Sequence, residues 1–331
     1  MGGLSAKPAR RAAQSLLTAG LVALAVCLTA MGNAGAQSVA VTSIVEHPAL
    51  DAIKDGVKDA LADAGYTDKK GLEWQFQTAQ GNTAIAAQIA RKFVGDKPDV
   101  IVAIATPSAQ AVVAATKTIP VVYAAVTDPI AAQLVTSFDA SGTNVTGVSD
   151  KLELERQIQV IKQILPDARK VGMVYNPGEA NSVSVVEELR TLLPTMGMSL
   201  VEASAPRTVD VGAAARSLVG KVDVIYTSTD NNVVSAYESL AKVGNDARIP
   251  LIASDTASVE RGAVAALGLD YYEMGRQAGR IVVRILKGED PGDIPSETSD
   301  KLALHLNALA ARKQGVTLSA ELRESAANII E

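Results

Sequence analysis

Residues 97–128 read KPDVIVAIATPSAQAVVAATKTIPVVYAAVTD. An apolar run, Val100 to Ile104, stops at the small groups Thr106, Pro107 and Ser108, and a helical pattern follows at once. A second apolar run then ends at Thr127 and Asp128. Strands that are apolar throughout and separated by helices belong in a parallel sheet covered on both faces. The same grammar returns at residues 221–255, KVDVIYTSTDNNVVSAYESLAKVGNDARIPLIASD. Upstream, QTAQGNTAIAAQIARKFVGDKPDV (77–100) parallels EASAPRTVDVGAAARSLVGKVDV (202–224). Repetition of strand, loop, helix and strand in the same order predicts two similar lobes, each a Rossmann-like, doubly wound α/β unit.

The periodicity places helices near residues 49–64, 83–94, 108–116 and 130–138 in the first half, and 182–193, 209–218 and 232–243 in the second. GRQAG (Gly275 to Gly279) sits on an amphipathic helix and reads as a close helix–helix contact. The first 36 residues stand apart. A basic AKPARR segment precedes the apolar stretch SLLTAGLVALAVCLTAM, and NAGA offers small residues before Gln37. That reads as a secretory signal peptide, removed from a secreted or periplasmic mature protein, with an uncleaved membrane anchor as the alternative. Cys27, the only cysteine, lies within it and is preceded by Val26 rather than the small residue a lipoprotein signal needs. The mature chain therefore has no disulfide, thiol nucleophile or Cys-ligated metal.

Residues 1–36 hold Lys7, Arg10 and Arg11 and no acid, so the mature chain carries 28 basic against 36 acidic residues, a net charge of −8. An acidic chain without a basic block does not suit nucleic acid. No G-x-S-x-G elbow, phosphate-binding loop or dinucleotide fingerprint is present, and the two histidines, His47 and His305, show no metal spacing. Neither a cofactor nor a metal is expected. His47 could serve either a site or an exposed loop.

In open parallel sheets ligands bind beyond the carboxyl ends of the strands. Here those ends carry Thr42-Ser43, Thr106-Pro107-Ser108, Val126-Thr127-Asp128, Asn176-Pro177, Thr227-Ser228-Thr229-Asp230 and Ser254-Asp255. Small hydroxyls, amides and carboxylates are also the preferred helix caps, so each position alone fits capping as well as binding. No Lys or Arg stands among them.

The segments VTSIVEHPALD, VAIATPSAQA, VTDP, GTNVTGVSD, VYNPGEANS and GAVAALGLDYYEMGRQAG, in this order, resemble the ABC-transporter substrate-binding proteins of the tryptophan/tyrosine type. The likeness runs from about Ser38 to Val316. It implies a type I periplasmic binding fold: two lobes joined by three crossovers, closing on a ligand by hinge motion. The crossings fall near Gly147–Asp150, Gly268–Asp270 and Ser296–Lys301, giving one lobe of 38–148 plus 270–297 and another of 149–269 plus 298–331. It further implies a monomeric receptor that delivers an amino acid, aromatic by preference, to an ABC permease in the inner membrane. A free amino acid needs donors for its carboxylate and acceptors for its ammonium. Ser108, Thr127 and nearby backbone N–H groups suit the carboxylate, with Thr42, Ser43, Thr106 and Val126 adjoining. Asp255, or else Asp230, suits the ammonium, and Asn176 and Thr229 complete the set from the second lobe. A branched-chain amino acid or other small zwitterion would use the same groups. So would a ligand module serving a sensor or chemotaxis partner. An enzyme on this scaffold lacks a recognisable nucleophile or acid–base pair, and a repressor lacks a helix-turn-helix pattern.

Overall fold

The computed structural model describes residues 1–3, 36–299 and 301–331. The signal peptide expected over residues 1–36, with Cys27, falls on residues 4–35 and so lies outside the described residues.

Two sheets organise the chain. The first contains β1 (Gln37–Ser43), β2 (Leu72–Thr78), β3 (Val100–Ile104), β4 (Val121–Ala124), β5 (Val145–Ser149) and β11 (Glu297–Thr298). Its order is β2-β1-β3-β4-β5-β11, and every pairing is parallel. The second contains β6 (Lys170–Tyr175), β7 (Ser199–Ser204), β8 (Val224–Thr227), β9 (Leu251–Ala253), β10 (Ala265–Leu269), β12 (Leu302–Asn307) and β13 (Asn328–Ile330). Its order is β7-β6-β8-β9-β10-β12-β13, with β12 alone antiparallel to its neighbour β10. The first five strands of each sheet thus share the 2-1-3-4-5 order, whose reversal beside the first strand opens a crevice at the carboxyl edge. The repeat read from residues 97–128 and 221–255 is this topology: β3 and β4 correspond to β8 and β9.

The central strands β3 and β4 are buried at every position, which is why their sequences do not alternate. Trp74 lies on the edge strand β2 and packs part-buried against the core of the first lobe. The chain moves from one sheet to the other three times: between β5 and β6, between β10 and the helix Tyr271–Leu286, and between β11 and β12. That helix returns to the first lobe and packs on the helix Pro48–Asp63. The contact is as close as GRQAG suggested. A Cβ on Gly275 would stand 2.3 Å from the carbonyl oxygen of Ile53, and one on Gly56 would stand 2.3 Å from that of Tyr272.

Three helices differ from their sequence patterns. Residues 130–138 form turns. The Asp128 carboxylate accepts from the N–H groups of Ile130 and Ala131, and Gln133 adopts a left-handed φ of 60°, which stops a helix after one turn. The helix expected over 209–218 is a 3₁₀ turn, Thr208–Asp210, followed by Val211–Ser217. The helix expected over 232–243 is two, Asn231–Ser235 and Tyr237–Ala247, separated at Ala236.

Candidate functional site

The carboxyl ends of β3 and β4 meet the second lobe around a cavity of about 20 Å³, room for about one water with the lobes in this arrangement. The backbone entering it is strained. Ala105 and Ala125, just after β3 and β4, have φ values of 71° and 53° and both line the cavity. Non-glycine residues hold such conformations at a cost of about 1–3 kcal/mol each, and they cluster at binding sites.

Ala105 stands where the helix Thr106–Ala115 should be capped, and no side chain caps it. Pro107 occupies the first turn, where its missing N–H costs nothing. The remaining first-turn amides are left for a ligand. The Thr106 and Ser108 hydroxyls are buried without a hydrogen-bond partner, as is that of Thr42 at the end of β1. Thr106, the first residue of that helix, therefore brings an idle hydroxyl to the cavity lining, while Ser108 and Thr42 lie outside it.

The opposite chemistry faces it. Asp150, just past β5, accepts hydrogen bonds from the Thr127 hydroxyl at 3.0 Å and the Tyr271 phenol at 3.1 Å. Asp255, just past β9, accepts from the N–H and hydroxyl of Ser258 at 2.9 and 2.6 Å. Both line the cavity. Burial pushes both carboxyls above the usual carboxylate range, against the pull of their hydrogen bonds. The Asn181 side chain donates to Glu179 and to the Thr229 carbonyl, while its own oxygen, buried in the cavity wall, has no partner. His47 caps the helix Pro48–Asp63, its Nδ1 accepting from Leu50 N–H at 3.5 Å. Burial, and secondarily the charge of Arg261, pulls its pKa down to about 3. The ring is thus neutral at physiological pH, and its occupied Nδ1 leaves Nε2–H as a donor. Among the described residues no lysine or arginine lines the space. The lining thus combines a helix N-terminus, neutral donors and two hydrogen-bonded carboxyls.

Of the residues expected from sequence, Thr106, Thr127, Thr229 and Asp255 line this cavity. Thr42, Ser43 and Ser108 are buried at the strand ends, and the Ser43 hydroxyl is spent on the Val45 carbonyl. Val126 presents its carbonyl to the Asp150 N–H. Asn176 and Asp230 lie outside the lining. Asn176 closes its own turn by accepting from Gly178 N–H, and its N–H donates to Asp230. Asp230 caps the helix Asn231–Ser235 and also accepts from Ser182. Behind that wall Glu179 accepts from Asn181 and Asn231, and burial, with Asp230 nearby, raises it to about 7. Asp150, Asn181, Asn231 and Tyr271 line the cavity as well. In the sequence Asp150, directly after β5, reads as part of a crossing between lobes, and Asn181, Asn231 and Tyr271 lie in the first turns of helices.

The lobes touch. The Thr127 and Thr229 hydroxyls, one from each lobe, are 3.3 Å apart, and Ser184 of the second lobe donates to Asp128 of the first at 3.4 Å.

A family model described as ABC transporter substrate binding protein matches residues 38–330. The chain belongs to this family. Within it, the two-lobed, three-crossing architecture is the type I periplasmic binding fold. The tyrosine-binding protein of Clostridioides difficile (strain R20291) is 42% identical over 271 residues, covering 82% of this chain and 79% of that protein. A solved domain from Streptococcus pneumonia in complex with L-Trp shares 32% identity and a TM-score of 0.86, covering 89% of this chain and 99% of that one. A ligand-free, open substrate-binding protein with adhesive properties from Clostridium difficile shares 37% identity at the same coverage, yet its TM-score is 0.67. A lower score at higher identity is what a rotation between rigid lobes produces. With the interlobe contacts above, it places the present lobes nearer the arrangement of the complex than that of the open protein.

Proposed function

We propose that this substrate-binding protein captures a free aromatic amino acid, of the tyrosine or tryptophan type, and hands it to the permease of an ABC importer outside the cytoplasmic membrane. The observation that carries the amino-acid part is the dipolar cavity. The uncapped helix end at Thr106 and the idle hydroxyls of Thr106 and Ser108 receive the ligand carboxylate. Asp150, Asp255 and the free oxygen of Asn181 receive the ammonium. The aromatic part rests on the L-Trp complex and the tyrosine-binding relative. Among the described residues no helix is long and apolar enough to cross a membrane. The reading includes export by the segment at residues 1–36 and action as a monomer. In this reading the hinge is formed by the three crossings near residues 147–150, 268–270 and 296–301, and the lobes are 38–148 plus 270–297 and 149–269 plus 298–331. Closure brings Thr127 against Thr229 and buries the ligand between them.

The test is calorimetric. Purified protein is freed of carried-over ligand by partial unfolding and refolding, then titrated with the common amino acids and a few sugars. Tight binding of Tyr or Trp is expected. If no amino acid binds at millimolar concentration, the proposal fails.

A further inference from the structure

Glu179 stands at the start of the helix Ala180–Thr195, where a carboxylate ordinarily caps free amides, yet its side chain caps none of them. It is only 3% exposed, and Asp230 beside it is fully buried. Among the described residues no lysine, arginine or histidine pairs with either carboxylate. A buried charge without a counterion is costly, so what Glu179 does hold is informative.

It holds amides. One carboxylate oxygen accepts from the Asn176 side chain at 3.3 Å. The other accepts from the Asn181 side chain at 3.2 Å, and from the side chain and backbone N–H of Asn231 at 2.5 and 3.3 Å. Asn181 and Asn231 line the ligand cavity, whereas Glu179 stands behind them. A primary amide shows N–H on one side and oxygen on the other, so its partners decide which side faces the cavity. For Asn181 every partner is an acceptor. Its Nδ2 faces the Glu179 carboxylate, the Thr229 carbonyl at 3.1 Å and the Ser182 hydroxyl at 3.4 Å. Ser182 gives its own proton to Asp230 at 2.6 Å, which leaves Asn181 only a lone pair there. The Asn181 oxygen remains buried and without a partner.

On the amino-acid reading given above, that oxygen is one of the acceptors for the ligand ammonium. We infer that Glu179 is a positioning residue for ammonium recognition, its carboxylate acting from behind the cavity wall to hold the Asn181 amide with the oxygen toward the ligand. A protonated Glu179 is a donor, and it would draw the Asn181 oxygen inward and turn N–H groups toward the ammonium. Every partner in the network lies between residues 176 and 231, in the second lobe, so the arrangement does not depend on contact with the first.

A pH response follows. Burial, and secondarily the neighbouring charge of Asp230, raises Glu179 to about 7. An ammonium favours the ionised carboxylate, so affinity should fall as pH falls from 8 to 6, by up to about tenfold for this one group. Asp150, Asp255, His47 and Tyr271 also face the cavity, and Arg261 acts on His47 and Asp255. Removing Glu179 alone isolates its share.

The experiment titrates L-Tyr and L-Trp against wild type, Glu179→Gln, Asn181→Ala and the double variant at pH 6 and pH 8. Glu179→Gln is expected to weaken the better ligand by roughly tenfold at pH 8 and to flatten the pH dependence. With Asn181 already replaced by Ala, the same substitution should change affinity less than threefold, the signature of one residue acting through another. Wild-type affinity that is level between pH 6 and pH 8 would overturn the inference, whatever the variants do. So would a Glu179→Gln protein that binds within threefold of wild type at pH 8, or one whose loss is undiminished when Asn181 is absent. If wild type binds neither amino acid, the amino-acid reading falls and this inference falls with it.

Discussion

Replacing Asp255 by Asn tests the site at its most charged point. The amide keeps the shape of the carboxyl, and its oxygen can still accept from the Ser258 N–H that Asp255 holds at 2.9 Å. What it loses is the negative charge that the proposed ligand ammonium would meet. Removing one partner of a buried, hydrogen-bonded charge pair costs about 2–5 kcal/mol. Part of that range is already offset, because burial raises the Asp255 pKa and so disfavours the charged form an ammonium would meet. The expected loss is therefore in the lower half, about 2–3 kcal/mol, or roughly 30- to 150-fold in Kd at 1.4 kcal/mol per decade. Calorimetric titration with the wild-type ligand measures it. A second signature separates this role from simple capping of the 257–260 turn. The folded state binds a proton at Asp255 more tightly than the unfolded state does, so the aspartate weakens the unliganded protein at neutral pH. The amide removes that weakness and should raise the unliganded melting temperature while lowering affinity. A variant that binds within threefold of wild type would refute the assignment of Asp255 to the ammonium.

Two further outcomes concern the scaffold and its pH response. Gly275→Ala should destabilise the protein by about 1–3 kcal/mol in urea unfolding, because the new Cβ meets the Ile53 backbone at 2.3 Å. Gly95→Ala, in a helix with nothing within 4 Å of its Cβ, should instead stabilise by about 0.5–1 kcal/mol; the reverse order would contradict the packing of the two helices. Glu179 has a folded pKa of about 7, above its ordinary value of 4.5, so its contribution to stability falls as pH rises from about 4.5 through 7. Glu179→Gln should therefore raise the unliganded melting temperature more at pH 8 than at pH 5, and an equal shift at both pH values would remove Glu179 as the source.

The fold was legible because it rests on patterns longer than any one helix. Buried parallel strands such as β3 and β4 cannot alternate, and their repetition as β8 and β9 reveals two equivalent lobes. Helix ends were less legible. Gln133 terminates the turn at 130–138 through a backbone conformation that an Ala-rich stretch does not announce. At the site, strand-end chemistry alone could not separate cap from ligand group, and the structure shows which of these groups already have hydrogen-bond partners. Asp230 and Asn176 are fully engaged in capping and turn closure. Thr106 and Ser108 are not, since the helix expected over 108–116 begins two residues earlier, at Thr106, and Ala105 takes the cap position.

Asp150 shows why part of the site lay outside the reach of sequence. Its segment, GTNVTGVSD, marks a crossing between lobes, and nothing local gives its carboxylate a binding role. Only the fold brings it against Thr127 at the end of β4 and Tyr271 at the start of the returning helix. One carboxylate thus ties the first crossing to the second. Burial disfavours its charge, so the unliganded site holds it at an energetic cost that a cation beside it would relieve. A ligand ammonium at that point bears on the backbone segments that must rotate for the lobes to open. In the proposed function, recognition and closure therefore share a residue. Loss of the charge at Asp150 should disturb the balance between open and closed lobes as well as affinity, whereas loss of the charge at Asp255, carried by the second lobe alone, should act on affinity.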